Sequence, residues 1–119
     1  IIDDLRVTRQ DLQIELDLQN ISEEQIEDRL QLTFFRIVQE QLNNIVKHAK
    51  ATRVLIRLSI EGTNTVLSVA DNGVGFDPGS HRKGVGITNI MSRAELLNGK
   101  VEIATAPGDG CTLTVSMPN

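Results

Sequence analysis

The residues able to do chemistry in this chain fall in three segments: EQLNNIVKHAKA at 40–51, DNGVGF at 71–76 and GVGITNI at 84–90. In the first, Glu40, Asn44 and Lys47 recur at spacings of four and three, so on a helix a carboxylate, an amide and an amine share one face. Such a face offers a carboxylate oxygen, an amide and an ammonium to a polar ligand. In the second, Asp71 closes an alternating run in which Leu67, Val69 and Asp71 lie on one side, so its carboxyl points the way the core points. Gly73 and Gly75 then let backbone approach a flat ligand closely. In the third, Gly84 and Gly86 stand before a helical run, which puts backbone N–H groups where anions are favoured. Each segment alone also has an ordinary reading, as a solvated helix stripe, a turn or a flexible loop. No GK[ST] occurs, so there is no Walker-type phosphate loop, and GVGITN lacks the third glycine of a dinucleotide fingerprint.

The elements that must position these residues follow from periodicity. Apolar residues two apart predict strands at 12–18, 53–60, 65–71, 100–106 and 111–117. From about Ile26 to Lys50 there is no Gly or Pro, and one long helix is expected, opened by a capping pattern at Ser22 and Gln25. Val38, Leu42, Ile45, Val46 and Ala49 form its inward side. A second helix is expected over 87–98, with Ile90, Ala94 and Leu97 inward and Gly99 as its C-cap. Turns fall at 61–64 and 107–110. The loop at 77–86, rich in Gly and polar residues, is expected to be a mobile lid. Hairpins plus helices give an α/β two-layer sandwich, its mixed and largely antiparallel sheet covered by helices on one face.

Composition narrows the classes. The chain has 119 residues, enough for one domain, with 39% hydrophobic and 24% charged residues. We expect the domain to span 10–119, with 1–9 the tail of a linker, and the start at Ile1 without Met suggests a piece of something longer or a processed chain. No apolar run approaches the ~20 residues of a membrane span, and no secretory pattern opens the chain. A cytoplasmic domain is expected, whose parent could still be membrane-anchored. Cys111 is alone, so neither an internal disulfide nor a cysteine zinc cluster is available. A net charge of −4, with no Trp and no Tyr, argues against nucleic acid as a partner.

Taken together and in this order, the three segments resemble the N, G1 and G2 boxes of the histidine-kinase ATPase fold. That Bergerat-type fold is shared with type II topoisomerases, the Hsp90 chaperone and MutL proteins. The nearest pattern is that of nitrate-sensor and lipid-sensor kinases: RIVQEALxNAxKHAxA, then DNGxGF, then GxGLxxM, then a terminal GxGTxxxxxLP. Residues 36–51, 71–76, 84–91 and 108–118 carry the match. The resemblance implies ATP and Mg2+ as cofactors. It makes Asn44 the protein's magnesium ligand and Glu40 the catalytic carboxylate that orients or deprotonates the attacking group. It puts Lys47 and His48 on phosphate, Asp71 on the adenine amine, Gly73 and Gly75 against the base, and Gly84, Val85, Gly86 and Ile87 along the phosphates.

The activity it implies is transfer of the ATP γ-phosphate to a histidine on a dimerisation domain of the same kinase, for relay to a response regulator. Neither His48 nor His81 stands in a preceding helix, so the acceptor is expected outside this chain, and the domain alone is expected to be monomeric. An anti-sigma-factor-like serine kinase and a non-catalytic nucleotide-binding module of the same fold are the alternatives. Two departures from the pattern matter here. Cys111 stands where Thr is usual, putting a polar contact to the base in doubt, and Ile45 replaces a small residue after Asn44.

Overall fold

Alternating strands need a cover for their apolar face, and two amphipathic helices supply it. The computed structural model describes residues 12–19, 21, 25–74, 85–105 and 108–118. Strand β1 is Gln13–Gln19, followed by helix α1 at Asp28–Asn44, which runs on into a π-helical turn at Ile45–Ala49. Then come β2 (Arg53–Glu61), β3 (Asn64–Asp71), α2 (Val85–Glu95), β4 (Lys100–Thr105) and β5 (Cys111–Pro118). The sheet order is β1-β2-β3-β5-β4. Only β1 and β2 pair in parallel, across the α1 connection, and the other three pairings are antiparallel. The mixed, largely antiparallel two-layer sandwich expected from the pattern is the fold observed.

Register shows why the pattern works. Leu16, Ile56, Val69, Leu113 and Ile103 lie opposite one another in a row across all five strands. On the same face Val54, Leu58, Leu67, Val115 and Met117 are buried. Over them pack Leu30, Phe34, Ile37, Val38 and Leu42 of α1 and Ile90 and Ala94 of α2. Each such side chain contributes roughly 1.5–3 kcal/mol by leaving water. The other face carries half-buried Ser68, Thr112, Thr114 and Ser116. There Asp17 and Arg57, register partners on β1 and β2, make an ion pair at 3.1 Å.

The helix ends differ from expectation in physically informative ways. Helix α1 starts at Asp28, with Glu27 as N-cap and no side-chain cap, so the Ser22 pattern does not open it; Ser22 itself lies outside the described residues. The Gln31 amide instead donates to the Ile26 carbonyl at 2.8 Å across that first turn. At the other end the helix widens to π over Ile45–Ala49 and stops at Lys50, whose φ is +51°. The extra residue in the turn rotates Val46 off the core, and it is 42% exposed where an inward position was expected. Helix α2 begins at Val85, two residues early, and does not end on Gly99. Asn98 takes the left-handed conformation (φ +59°). Its N–H bonds the Glu95 carbonyl at 3.0 Å and the Gly99 N–H bonds that of Ala94 at 2.8 Å, a Schellman closure. Gly99 is required for space: a Cβ there would meet Met117 Sδ at 2.4 Å.

Candidate functional site

The end of α1 meets the ends of β3 and β5. Asp71 is the last residue of the central strand, opposite Val54 on one side and Cys111 on the other. Gln41 of α1 reaches this point, with its Nε2 at 4.0 Å from Cys111 Sγ, and its Oε1 accepts from Asn44 Nδ2 at 3.4 Å. A chain of side chains thus runs from Asn44 on the helix to the strand end where Asp71 sits.

Asp71 is 9% exposed. Its Oδ1 accepts from the Gly73 N–H at 2.8 Å, closing a tight turn, and its Oδ2 is buried with no hydrogen-bond partner. Burial pushes the carboxyl pKa above the usual carboxylate range, and the Gly73 N–H pulls weakly the other way. Cys111, 7% exposed, has its thiol pushed up to about 11, first by burial and then by the nearby Asp71 charge.

Three neighbours hold Asp71 in place. Asn72 Oδ1 accepts from the N–H groups of Thr52 and Arg53, each at 2.9 Å, and its Nδ2 donates to Thr52 Oγ1 at 3.0 Å. This pins the turn after Asp71 to the start of β2. Gly110 (φ +71°) lies flat against β3, where a Cβ would stand 2.3 Å from the Asp71 carbonyl oxygen. The Gly108 N–H bonds the Val74 carbonyl, joining the β4–β5 turn to the same loop.

These residues fit an adenine nucleotide. An unpartnered buried acceptor costs about 1–3 kcal/mol, which a ligand N–H would remove. The adenine exocyclic amine is such a donor, whereas guanine presents a carbonyl at that position. Among the described residues no group of three or more His, Cys, Asp or Glu side chains could hold a metal ion. Asn44, half-buried on the helix, carries a side-chain oxygen of the hard kind that suits a magnesium ion arriving with phosphates. A groove of about 580 Å³ borders this strand end, lined by Asp71, Asn72 and Val54 together with Gln13, Arg53 and Ala70 among others.

The structure brings Asn44, Asp71 and Gly73 to one end of the fold. Glu40, half-buried, and Lys47, exposed, stand one turn either side of Asn44. The backbones of Val85, Gly86 and Ile87 form the first turn of α2, whose N–H groups have no intrahelical acceptor. Gly75, Gly84, the 77–84 part of the expected lid, the 1–9 segment and the His48 side chain lie outside the described residues. Sequence reasoning passed over Gln41, Asn72 and Gly110. For Gln41 a signal existed: the N-box pattern has Ala at that position.

Residues 27–119 match the family model described as histidine kinase-, DNA gyrase B-, and HSP90-like ATPase. The chain belongs to this family. Its curated relatives include DegS of Brevibacillus brevis, a signal transduction histidine-protein kinase/phosphatase, 35% identical over 80% of this chain and 25% of that protein. The corresponding kinase/phosphatase UhpB of Salmonella typhimurium is 37% identical over 82% of this chain and 19% of its own length. The chain thus spans about a quarter or less of these two relatives. Among solved structures, the histidine kinase domain of the Erythrobacter litoralis blue-light activated kinase superposes with a TM-score of 0.75, at 17% identity, over 92% of this chain and 52% of that one. The mycobacterial sensor kinase MprB gives 0.68 at 20% identity, over 98% of this chain and 88% of that one. These superpositions show the fold, and the two sequence relatives are histidine-protein kinase/phosphatases. No helix among the described residues is long and apolar enough to cross a membrane.

Proposed function

We propose that this domain binds ATP with magnesium and passes the γ-phosphate to a histidine on a separate dimerisation domain, for relay to a response regulator. The observation that carries the reading is the buried, unpartnered Oδ2 of Asp71 at the end of the side-chain chain that starts at Asn44. In this reading Asp71 accepts from the adenine amine, and the turn at Gly73 keeps the backbone close to the base. Asn44 presents its side-chain oxygen to the magnesium ion, which when bound neutralises phosphate charge. Lys47 and His48 serve the phosphates, and the first-turn N–H groups of Val85, Gly86 and Ile87 supply further donors. Glu40 orients the incoming imidazole or holds its proton. Phosphoryl transfer needs mainly positioning and charge stabilisation, so a domain of this kind can act on an acceptor it does not carry.

The experiment is transfer of radiolabel from γ-labelled ATP to a separately expressed helical domain bearing the acceptor histidine. Label on the added domain, lost in Glu40→Gln, is expected. Labelling of this chain alone, on His48 or His81, at the rate of the mixed pair would overturn the reading.

A further inference from the structure

One polar side chain of the site has no part in the reading above. Gln41 is 4% exposed, on the same stretch of helix as Asn44, and both ends of its amide are engaged. Its oxygen accepts from the Asn44 nitrogen at 3.4 Å, and its nitrogen lies 4.0 Å from the Cys111 sulfur. Cys111 sits directly across from Asp71 in the β3–β5 register. The kinase pattern that the chain resembles has Ala at the first of these positions and Thr at the second. These two departures therefore touch each other, one on the helix and one on the sheet.

We propose that Gln41 is a positioning residue for the magnesium end of the nucleotide site. It holds the Asn44 amide with the nitrogen turned inward, leaving the oxygen as the end offered to the cation. An asparagine amide can present either end. The NH2 end repels a cation, so every population of that rotamer lowers metal affinity. A buried acceptor that takes a hydrogen bond from the nitrogen removes the wrong rotamer before the metal arrives. Partners one shell out from a metal ligand commonly change metal affinity 10–100-fold through orientation of this kind. Cys111 makes the arrangement one-directional. A hydroxyl at that position would be a strong donor and would compete for the Gln41 oxygen, whereas a thiol is a weak one. The Gln41 oxygen is left for Asn44, and its nitrogen rests against sulfur. The proposal rests on the reading of this site as one for magnesium and ATP.

The test measures ATP affinity calorimetrically, with saturating Mg2+ and with chelator, on the parent chain and on Gln41→Met. Met keeps the length and bulk and removes both amide ends. The expected result is affinity without Mg2+ within about twofold of the parent, while the enhancement by Mg2+ falls by about tenfold. Equal losses with and without Mg2+ would reduce Gln41 to a packing residue and overturn the proposal. So would a Met variant indistinguishable from a parent that binds magnesium-ATP, an outcome that leaves the nucleotide reading standing. A parent that binds no ATP at all would sink both. A second measurement does not depend on the variant folding. In the 15N-labelled parent, an Overhauser contact between the Asn44 side-chain amide protons and the Gln41 side chain should be present before nucleotide is added and persist with magnesium-ATP. Its absence before nucleotide would overturn the proposal.

Discussion

Asp71 is held in the free protein under unfavourable conditions, with a buried carboxyl, one oxygen on Gly73 N–H and the other on nothing. Its folded pKa is raised, so the unfolded chain gives up this proton at lower pH than the folded chain does. Between the ordinary carboxylate value and the raised one the unfolded state binds fewer protons, and stability falls as pH rises through that window. Asp71→Asn keeps an acceptor for Gly73 and removes the charge. We expect it to stabilise the ligand-free chain at pH 7 by on the order of 1 kcal/mol, seen as a higher melting temperature, while losing most ATP affinity. A melting scan alongside calorimetry checks this, and a variant that melts lower than the parent would contradict it. Cys111 follows the same sign in a higher pH range. Its thiol is shifted from 9.0 to about 11, so it is neutral at pH 7 and should react slowly with iodoacetamide until the chain unfolds. The stability it contributes is complete below pH 9 and is lost as pH rises toward 11. Cys111→Ser should flatten the alkaline fall in melting temperature across that range. The direction of Asp71 was legible, because period-two alternation fixes which face a strand residue takes. Its empty oxygen was not, because a single strand says nothing of what its neighbours offer. Gln41, three residues after Val38 and four before Ile45, falls on the inward side of the helix by spacing, but its partner Cys111 appears only once α1 is laid across the sheet.

At the scale of elements, the strands were legible to within a residue or two because their apolar alternation is strict and their turns carry Gly. Helix ends were less so. They depend on backbone closures that compete closely: Asn98 takes the left-handed position expected at Gly99, and α1 widens to a π turn that turns Val46 outward. Asn tolerates that conformation almost as well as Gly, so the choice falls to packing, here the approach of Gly99 to Met117. The glycines of the β2–β3 and β4–β5 turns offer a controlled comparison. Gly62 and Gly110 both have positive φ, but a Cβ at Gly62 meets nothing within 4 Å, whereas at Gly110 it would press into the Asp71 backbone. Gly62→Ala should cost only the left-handed strain, roughly 1–2 kcal/mol. Gly110→Ala should cost about 1–3 kcal/mol more and should weaken ATP binding as well. Chemical denaturation of the two variants side by side reads the difference, and equal losses would show that the approach of Gly110 to β3 can relax freely.

At the scale of the molecule, one sheet face is closed by two helices, and the proposed nucleotide site lies at the end of that layer, where α1 crosses the ends of β3 and β5. The polar residues met there, Asn44, Gln41, Asp71 and Cys111, come from positions up to 70 residues apart, and only the fold joins them. The central claim is that Asp71 reads the base of a magnesium-bound adenine nucleotide. Calorimetric titration of the chain with ATP and with GTP, both in excess Mg2+, tests it most directly, with Asp71→Asn as the paired control. The account predicts ATP binding to the parent, GTP weaker by roughly tenfold or more, as an unpaired acceptor facing a carbonyl would require, and loss of most ATP affinity in the variant. Equal affinity for ATP and GTP in the parent, or undiminished ATP binding by Asp71→Asn, would contradict it.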